Sequence, residues 1–153
     1  MEHAEHAAQN FREGCNCAQA VFAAFCDMTG YSNRDALRLA SSFGGGMGRL
    51  REVCGAVSGI FMVAGLLYGY DDINDHFLKI EHYKRIQELA NAFREKHGSI
   101  VCREILRKPA GADTPIPEAR TEAYYASRPC EQCIRDAASI LDAYIAAHPF
   151  SEE

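Results

Sequence analysis

Apolar residues recur along this chain at the three- and four-residue spacing of an α-helix, and no segment alternates apolar and polar residues as a half-buried strand does. The first such pattern follows Asn16, which is a suitable N-cap. Its apolar positions are Ala18, Val21, Phe22 and Phe25. A second helix is predicted to start at the cap Asn33 and to end at Gly44. Its apolar positions are Ala36, Leu37 and Ala40.

Residues 53–70 form the longest uncharged segment of the chain, and the helix within it is predicted to follow Cys54 and to stop at Gly69. Its length is near the lower limit for crossing a bilayer, about 18 residues. The segment contains Ser58 and several glycines, however, and it stands alone in a polar chain. We therefore interpret it as a central helix buried on all sides and predict no membrane span. Its apolar positions are Val57, Ile60, Phe61, Ala64, Leu67 and Tyr68.

The second half of the chain predicts two more long helices separated by a loop. One runs over residues 75–97, where a basic last turn precedes Gly98. Ser99 is expected to cap a short helical piece, residues 108–118 are rich in proline and form the loop, and Pro129 opens the last helix. The positions predicted to face the core are Phe77, Ile80, Tyr83, Ile86, Ala90 and Phe93, then Ile134, Ala137, Ala138, Leu141 and Tyr144.

These helices predict an all-α fold, a compact bundle of five or six helices that forms a single domain over residues 1–153. A composition of 48% hydrophobic and 24% charged residues is typical of a globular chain. The net charge is -5 and no block of basic residues occurs, which argues against a nucleic-acid partner. The first residues lack the basic start and apolar stretch of a secretory signal, so we expect a cytoplasmic protein.

The chemically distinctive residues are seven cysteines. An odd number cannot pair completely within the chain, and cytoplasmic thiols are normally kept reduced. We therefore interpret them as metal ligands, redox groups or buried apolar residues. The positive end of a helix stabilises a thiolate, which is the form that binds metals and exchanges disulfides. Four cysteines stand at the start of segments predicted to be helical, and these are Cys17, Cys54, Cys102 and Cys130.

Four thiolates are what an iron–sulfur cluster requires, and a structural zinc ion uses the same set. Zinc sites usually show two close Cys-x-x-Cys pairs, whereas this chain has one, made by Cys130 and Cys133. That pair can also be interpreted as a dithiol for disulfide exchange, although the strand–helix–strand context of a thioredoxin-like fold is missing. The residues alone leave these alternatives open.

Several residues near the four cysteines are candidates for a supporting role. Cys15 and Cys17 are two positions apart, about 200° around a helix, so we expect only one of them to face a shared site. Cys26 is interpreted as a small apolar core residue. No histidine is assigned a metal role. Gly44, Gly45 and Gly46 are interpreted as a close turn rather than a phosphate loop. Arg49 and Arg51 can stabilise the charge of a thiolate. Gly55 is a further supporting candidate.

With these motifs in place, the chain resembles the C_GCAxxG_C_C family of redox-active proteins. The matching elements are residues 16–21, 42–48 and 54–59, followed by the isolated Cys102 and then Cys130. The resemblance implies redox chemistry at Cys17, Cys54, Cys102 and Cys130, which are also the four cysteines at predicted helix starts. Cys133 and Cys15 lie outside the pattern and are additional candidates. The resemblance names no substrate, and whether Cys130 or Cys133 is the working sulfur stays open.

The leading hypothesis is a small redox protein in which these four cysteines bind an iron–sulfur cluster and exchange electrons with a donor or acceptor protein. The first alternative is thiol–disulfide exchange by pairs among Cys54, Cys102, Cys130 and Cys133. The second is a structural module with a zinc ion or no metal. Whether the protein is an enzyme is left open. A homodimer packed through the glycine face of the helix in 53–70 and a monomer both fit the sequence.

Overall fold

Six helices of eight or more residues build the fold in the computed structural model, which describes residues 2–150, and no strand occurs within that range. The long helices are α1 (His3–Arg12), α2 (Cys17–Ala24), α4 (Asn33–Ala40), α6 (Gly55–Tyr68), α7 (His76–His97) and α10 (Cys130–Ala147). The short helices are α3 (Cys26–Thr29), α5 (Gly44–Met47), α8 (Cys102–Ile105) and α9 (Glu122–Ser127). The prediction of an all-α bundle is confirmed.

Helix α2 lies at the centre of the bundle, where it packs against α1, α4 and α6. Its start is fixed by a reciprocal cap: the Asn16 side chain accepts the N–H of Gln19 at 2.9 Å, and the Gln19 side chain accepts the N–H of Asn16 at 3.1 Å. The predicted apolar positions of this segment are all buried. Because Cys17 is the first residue after this cap, its position is set by the start of a rigid helix.

Helices α2 and α6 approach each other closely at two glycines of α6. A Cβ atom at Gly55 would lie 2.9 Å from the backbone nitrogen of Ala18, and one at Gly59 would lie 2.9 Å from the Cβ of Val21. Only glycine permits this separation. Gly55 and Gly59 are therefore covered by α2 within the molecule, whereas Gly65 on the same helix is exposed.

Only the first half of α6 has the all-round burial that the sequence predicts. Every residue from Cys54 to Ile60 is buried, whereas Leu66 in the second half is 45% exposed. The helix ends at Gly69, as predicted. None of the helices in residues 2–150 combines the length and the hydrophobicity that a membrane span requires.

The limits of α4 differ from the prediction at both ends. Its N-cap is Ser32, whose hydroxyl accepts the N–H of Asp35 at 3.1 Å, so Asn33 is the first helical residue and not the cap. The helix ends at Ala40 rather than Gly44. Ser41 donates its hydroxyl to a carbonyl of the last turn and begins a 3-10 turn there, which is a local alternative to continuing the helix.

Helix α8 begins without the predicted cap. The Ser99 hydroxyl accepts the N–H of Val101 at 2.9 Å, and Val101 itself occupies the cap position of α8. Val101 also forms an antiparallel bridge with Val53, which holds the start of α8 beside the start of α6. This backbone contact brings the helix starts that carry Cys54 and Cys102 beside each other.

Helix α7 has the predicted ends, with Asp75 as its cap and Gly98 left-handed after its last residue. Its apolar face is only partly buried. Ala90 and Phe93 are buried, but the three positions predicted to face inward near the start, Phe77, Ile80 and Tyr83, are 68%, 52% and 55% exposed. The prediction is wrong there because helical periodicity shows which side of a helix is apolar and not how far neighbouring helices extend along it.

Helices α1 and α10, the first and last in the described residues, pack against each other. Helix α1 is absent from the sequence-based prediction, yet Phe11 on it is 1% exposed. His3 lies between two carboxylates, 2.9 Å from Asp27 and 2.8 Å from Asp142, and stacks on the ring of Phe25. The predicted apolar face of α10 is buried at Ile134, Ala137, Ala138 and Leu141 and half-buried at Tyr144.

Candidate functional site

A cavity of about 490 Å³ opens where the starts of α2, α6, α8 and α10 meet. Each start places a cysteine there: Cys17, Cys102 and Cys130 are the first residues of their helices, and Cys54 is the N-cap of α6. Cys133, one turn further along α10, also lines the cavity. Five sulfur-bearing side chains from four separate segments therefore surround one space.

Two pairs of thiols in this cavity shift each other's pKa. The interaction with Cys130 is the first cause that raises the pKa of Cys17. The interaction with Cys17, with the positive charge of Arg128 as a further cause, lowers the pKa of Cys130 to about 7. The interaction with Cys54 likewise raises the pKa of Cys133. Each thiol of the Cys-x-x-Cys motif thus interacts with a thiol from the start of another helix.

The surroundings of Cys54 favour a negative charge on its sulfur. Its pKa is lowered first by the interaction with Cys133 and then by the backbone N–H groups of Ala56 and Val57 at the start of α6. These N–H groups have no carbonyl partner within the helix and lie at its positive end, where a thiolate is stabilised.

Cys102 is paired with a buried arginine. Arg51 is 3% exposed, its Nη1 lies 3.6 Å from the sulfur of Cys102, and its Nη2 lies 3.0 Å from Asp113. Burial raises the pKa of Cys102, and the contact with Arg51 acts in the opposite direction. Arg51 therefore supplies positive charge directly to one sulfur of the cavity.

The glycine-rich segment before Cys54 forms a left-handed turn against the cavity. A Cβ atom at Gly46 would lie 2.6 Å from the Cβ of Cys102 and 2.8 Å from the backbone nitrogen of Glu52. The sequence predicts a close turn here but not its left-handed conformation, which costs non-glycine residues about 1–2 kcal/mol each. Backbone φ values lie between +59° and +69° at Gly45, Gly46, Met47, Gly48, Arg49 and Arg51.

The lining of the cavity carries an excess of positive charge in a chain of net charge -5. Glu118 is the one carboxylate among the described lining residues, and it pairs with two of the arginines at 2.8 Å each. The lining arginines are Arg49, Arg51, Arg120 and Arg128. An electropositive cavity of this kind favours thiolates or an anionic guest over neutral thiols.

Arg120 differs from the other three arginines because no carboxylate within residues 2–150 pairs with it. Its guanidinium donates to the carbonyls of Phe11 at 3.1 Å and Cys15 at 3.0 Å, and it lies 4.5 Å above the ring of Phe11. These contacts hold the side chain at the cavity and leave its full charge uncompensated by any negative side chain.

Of the remaining candidates, some line the cavity and others do not. Gly44, Gly45, Gly46, Arg49 and Gly55 line it, whereas neither Cys15 nor Cys26 does. Cys15 contributes only its carbonyl, to Arg120. The sequence reasoning missed Arg120, Tyr124 and Arg128 in the lining, as well as His97 behind Cys133. No short motif marks these residues, because they reach the site from the segment just before α9, from α9 and its C-terminal end, and from the end of α7.

Glu118 provides a test of the arginine cluster in solution. Its pKa is lowered to about 2, chiefly by the hydrogen bond from Arg49. Because the folded-state pKa lies below the ordinary value of 4.5, the ion pairs stabilise the fold above that pH, and this contribution is lost as the pH falls toward 2. We expect Glu118→Gln to reduce the acid dependence of the urea midpoint between pH 5 and pH 2. Glu88→Gln, on the exposed side of α7, should keep the acid dependence of the parent protein. An equal change of the urea midpoint with pH in both variants would contradict the assignment.

Comparison with known protein families identifies the family of the chain. A family model described as "Putative redox-active protein (C_GCAxxG_C_C)" matches residues 15–144. The chain belongs to this family. The four cysteines to which the sequence resemblance points are among the five that line the cavity. Neither the curated proteins nor the solved structures compared with this chain include a match. Within residues 2–150, no three His, Cys, Asp or Glu side chains are arranged to share one metal ion.

Proposed function

We propose that the four family cysteines, Cys17, Cys54, Cys102 and Cys130, bind an iron–sulfur cluster and that the protein transfers electrons to or from a partner protein. The observation that carries this proposal is the meeting of these four side chains at one cavity, each from the start of a different helix. The donor set agrees in kind and number with the thiolate ligation of such clusters. The bound cluster would supply one-electron chemistry.

The charges around the cavity support an anionic guest. A cluster held by four thiolates is negatively charged, and removing negative charge from water is costly unless nearby positive groups compensate it. The four lining arginines provide that compensation, and Arg51 donates directly toward the sulfur of Cys102. Hydrogen bonds to ligand sulfurs and nearby charge are the means by which a protein sets the potential of such a group.

Thiol–disulfide exchange is a second candidate, favoured by the five cysteines that line one cavity. Cys130 has a pKa lowered to about 7 and faces an electropositive cavity, as an attacking thiol would. This candidate needs no metal. It predicts that the metal-free protein undergoes reversible thiol–disulfide exchange with small disulfides, whereas cluster binding alone does not predict this exchange.

The test of the leading proposal is anaerobic reconstitution with iron and sulfide, followed by analysis of both elements and an absorption spectrum. We expect iron and acid-labile sulfide in equal amounts and a visible absorption that bleaches on reduction. A colourless protein lacking both elements after reconstitution would refute the proposal. Stoichiometric zinc in place of iron would refute it in favour of a structural module.

Arg120 is predicted to raise the reduction potential of the reconstituted protein. At an effective dielectric constant near 20, a unit charge at a distance of about 10 Å changes the energy of another unit charge by about 1–2 kcal/mol. For a one-electron couple this energy corresponds to about 40–90 mV. We expect Arg120→Gln to lower the midpoint potential by about that amount, measured by potentiometric titration with electron paramagnetic resonance. Arg34→Gln, an exposed change on α4, is the control. An unchanged potential in the Arg120 variant would show that its charge does not reach the redox group.

A further inference from the structure

The opening of the cavity is bounded by the glycine-rich turn and by the loop that follows α8. Pro115 and Pro117 of the loop line the cavity and are also exposed, so the cavity reaches the surface beside them. The carbonyl of Arg49 accepts the backbone N–H of Asp113 at 2.9 Å, and its Nε donates to the carbonyl of Thr114 at 2.5 Å. The turn and the loop are therefore joined into one rim.

Two large apolar side chains are exposed on this rim, one from each segment. Leu50 follows Arg49 in the turn and is 51% exposed. Ile116 lies between the two lining prolines of the loop and is 72% exposed. Both flank the contact that joins the turn to the loop. Apolar side chains surrounded by polar groups at the opening of a site are typical of a surface that binds another protein.

The rim is richer in positive charge than the rest of this acidic chain. Residues 44–52 and 102–120 together contain six basic and four acidic residues, whereas the whole chain contains 16 and 21. Arg107 is exposed and pairs with no carboxylate within residues 2–150. The side chain of Lys108 is 30% exposed, and its Nζ lies 3.1 Å from Asp113. The exposed apolar side chains thus have basic neighbours.

We propose that this rim surface is the docking site of an acidic protein that carries single electrons. The rim surface consists of Leu50, Arg107, Lys108 and residues 114–117. The inference rests on the proposed function and deepens it by giving the chemistry of the partner. One electron passes between the carrier and the group held by the cavity cysteines, so that one is oxidised and the other is reduced by one electron. No covalent bond forms or breaks.

The charge of the rim surface selects for an acidic carrier. The chain has a net charge of -5, so an acidic partner is repelled by the molecule as a whole and attracted by the basic rim. A few charges around two apolar side chains suit the small interface of a transient electron-transfer encounter. Because electron transfer slows steeply with distance, the partner has to meet the protein where the redox site reaches the surface.

A second exposed apolar surface, at the start of α7, is in the wrong place for this role. Phe77 and Ile80 are 68% and 52% exposed there. The opposite end of the helix is the one that meets the cavity, since His97 contacts the lining residue Cys133. At 1.5 Å per residue, Ile80 lies about 25 Å from His97 along the helix axis. The start of α7 therefore supplies the control position.

The first measurement is cross-linking with a carbodiimide, which joins lysine amines to carboxylates without a spacer. The probe is a plant-type [2Fe–2S] ferredoxin, an acidic one-electron carrier, mixed with the full-length protein at low salt. We expect peptide mass spectrometry to find the ferredoxin linked to Lys108. The other lysines, Lys79, Lys84 and Lys96, lie on α7, and Lys84 is 71% exposed. Links mainly to these lysines would overturn the proposal.

The second measurement is the stopped-flow rate at which reduced ferredoxin reduces the reconstituted protein. We expect Ile116→Asp and Arg107→Glu each to lower the second-order rate constant by about 10-fold at low salt, the lower end of electrostatic steering effects. The loss in Arg107→Glu should shrink in about 0.5 M salt, which screens exposed charges. Ile80→Asp, an equivalent change at an exposed position, is the matched control and should keep the parent rate constant.

Reduction by dithionite separates docking from damage to the redox group. This small reductant needs no docking surface, so all variants should react with it at the parent rate. Equal rate constants with ferredoxin for Ile116→Asp and the parent protein would overturn the docking surface and leave cluster binding intact. Cross-linking needs no iron in the protein. A link to Lys108 in protein that fails reconstitution would therefore refute the cluster and still support the surface.

Discussion

Replacing any one of Cys17, Cys54, Cys102 or Cys130 by serine is expected to abolish most of the visible absorption and iron content of the reconstituted protein. Each of the four contributes one sulfur from a different helix start, so no neighbouring family cysteine can substitute for it by a small side-chain rotation. Loss of one thiolate from a four-thiolate set removes a ligand that the oxygen of serine replaces poorly, since iron–sulfur clusters favour thiolate ligands.

The matched controls come from the cysteines that the family pattern does not select. Cys26→Ser and Cys15→Ser alter side chains that do not line the cavity and should retain full absorption. Cys133→Ser alters a lining cysteine outside the pattern and should also retain the cluster, with a shifted spectrum because the interaction of Cys133 with Cys54 is changed. Full iron content in the Cys102 variant, or its loss in the Cys26 variant, would contradict the ligand assignment.

Gly46→Ala is expected to be the most destabilising single-methyl change at the site. The new Cβ atom would meet the Cβ of Cys102 and the backbone of the segment before Cys54, neither of which can move away without shifting a cavity wall. The backbone conformation at φ +69° adds strain for any L side chain. Strain and overpacking together predict a loss of about 4 kcal/mol in the free energy of unfolding, or about 12 °C in the melting temperature.

Gly30→Ala separates the two contributions. Gly30 has a similar left-handed φ of +77°, but an added Cβ there would meet nothing within 4 Å. We expect this variant to lose about 1 kcal/mol from backbone strain alone. Calorimetric melting of both variants measures the difference. Equal losses would show that the contact of the glycine turn with Cys102 adds nothing to stability.

Much of the architecture follows from local signals in the sequence. The cap at Asn16, the glycine after α7 and the apolar periodicity of α2 and α10 each specify their elements within a few residues. The sequence also selects the four cysteines at helix starts, since cap residues and helix starts are local features. Where the prediction fails, the cause is tertiary. Phe77 on α7 is apolar and in phase with buried positions, yet 68% exposed, because the neighbouring helices do not cover that part of it.

The partners of the cysteines could not be predicted from the sequence. His97 meets Cys133 only because the end of α7 packs beside the start of α10, and Arg120 reaches the cavity from the loop before α9. Neither residue belongs to a motif with a defined spacing to the cysteine it approaches. The glycine cluster signals a tight turn, but no local signal shows that the left-handed conformation extends to Arg49 and Arg51. The side chains of these two arginines pair with Glu118 and Asp113, which are distant in the sequence.

The most direct measurement is anomalous X-ray diffraction at the iron edge from crystals of the anaerobically reconstituted protein. The account predicts anomalous density inside the cavity, bonded to the sulfurs of Cys17, Cys54, Cys102 and Cys130 and not to that of Cys133. Iron bound elsewhere on the molecule, or a cavity free of iron in protein that retains its colour, would contradict it.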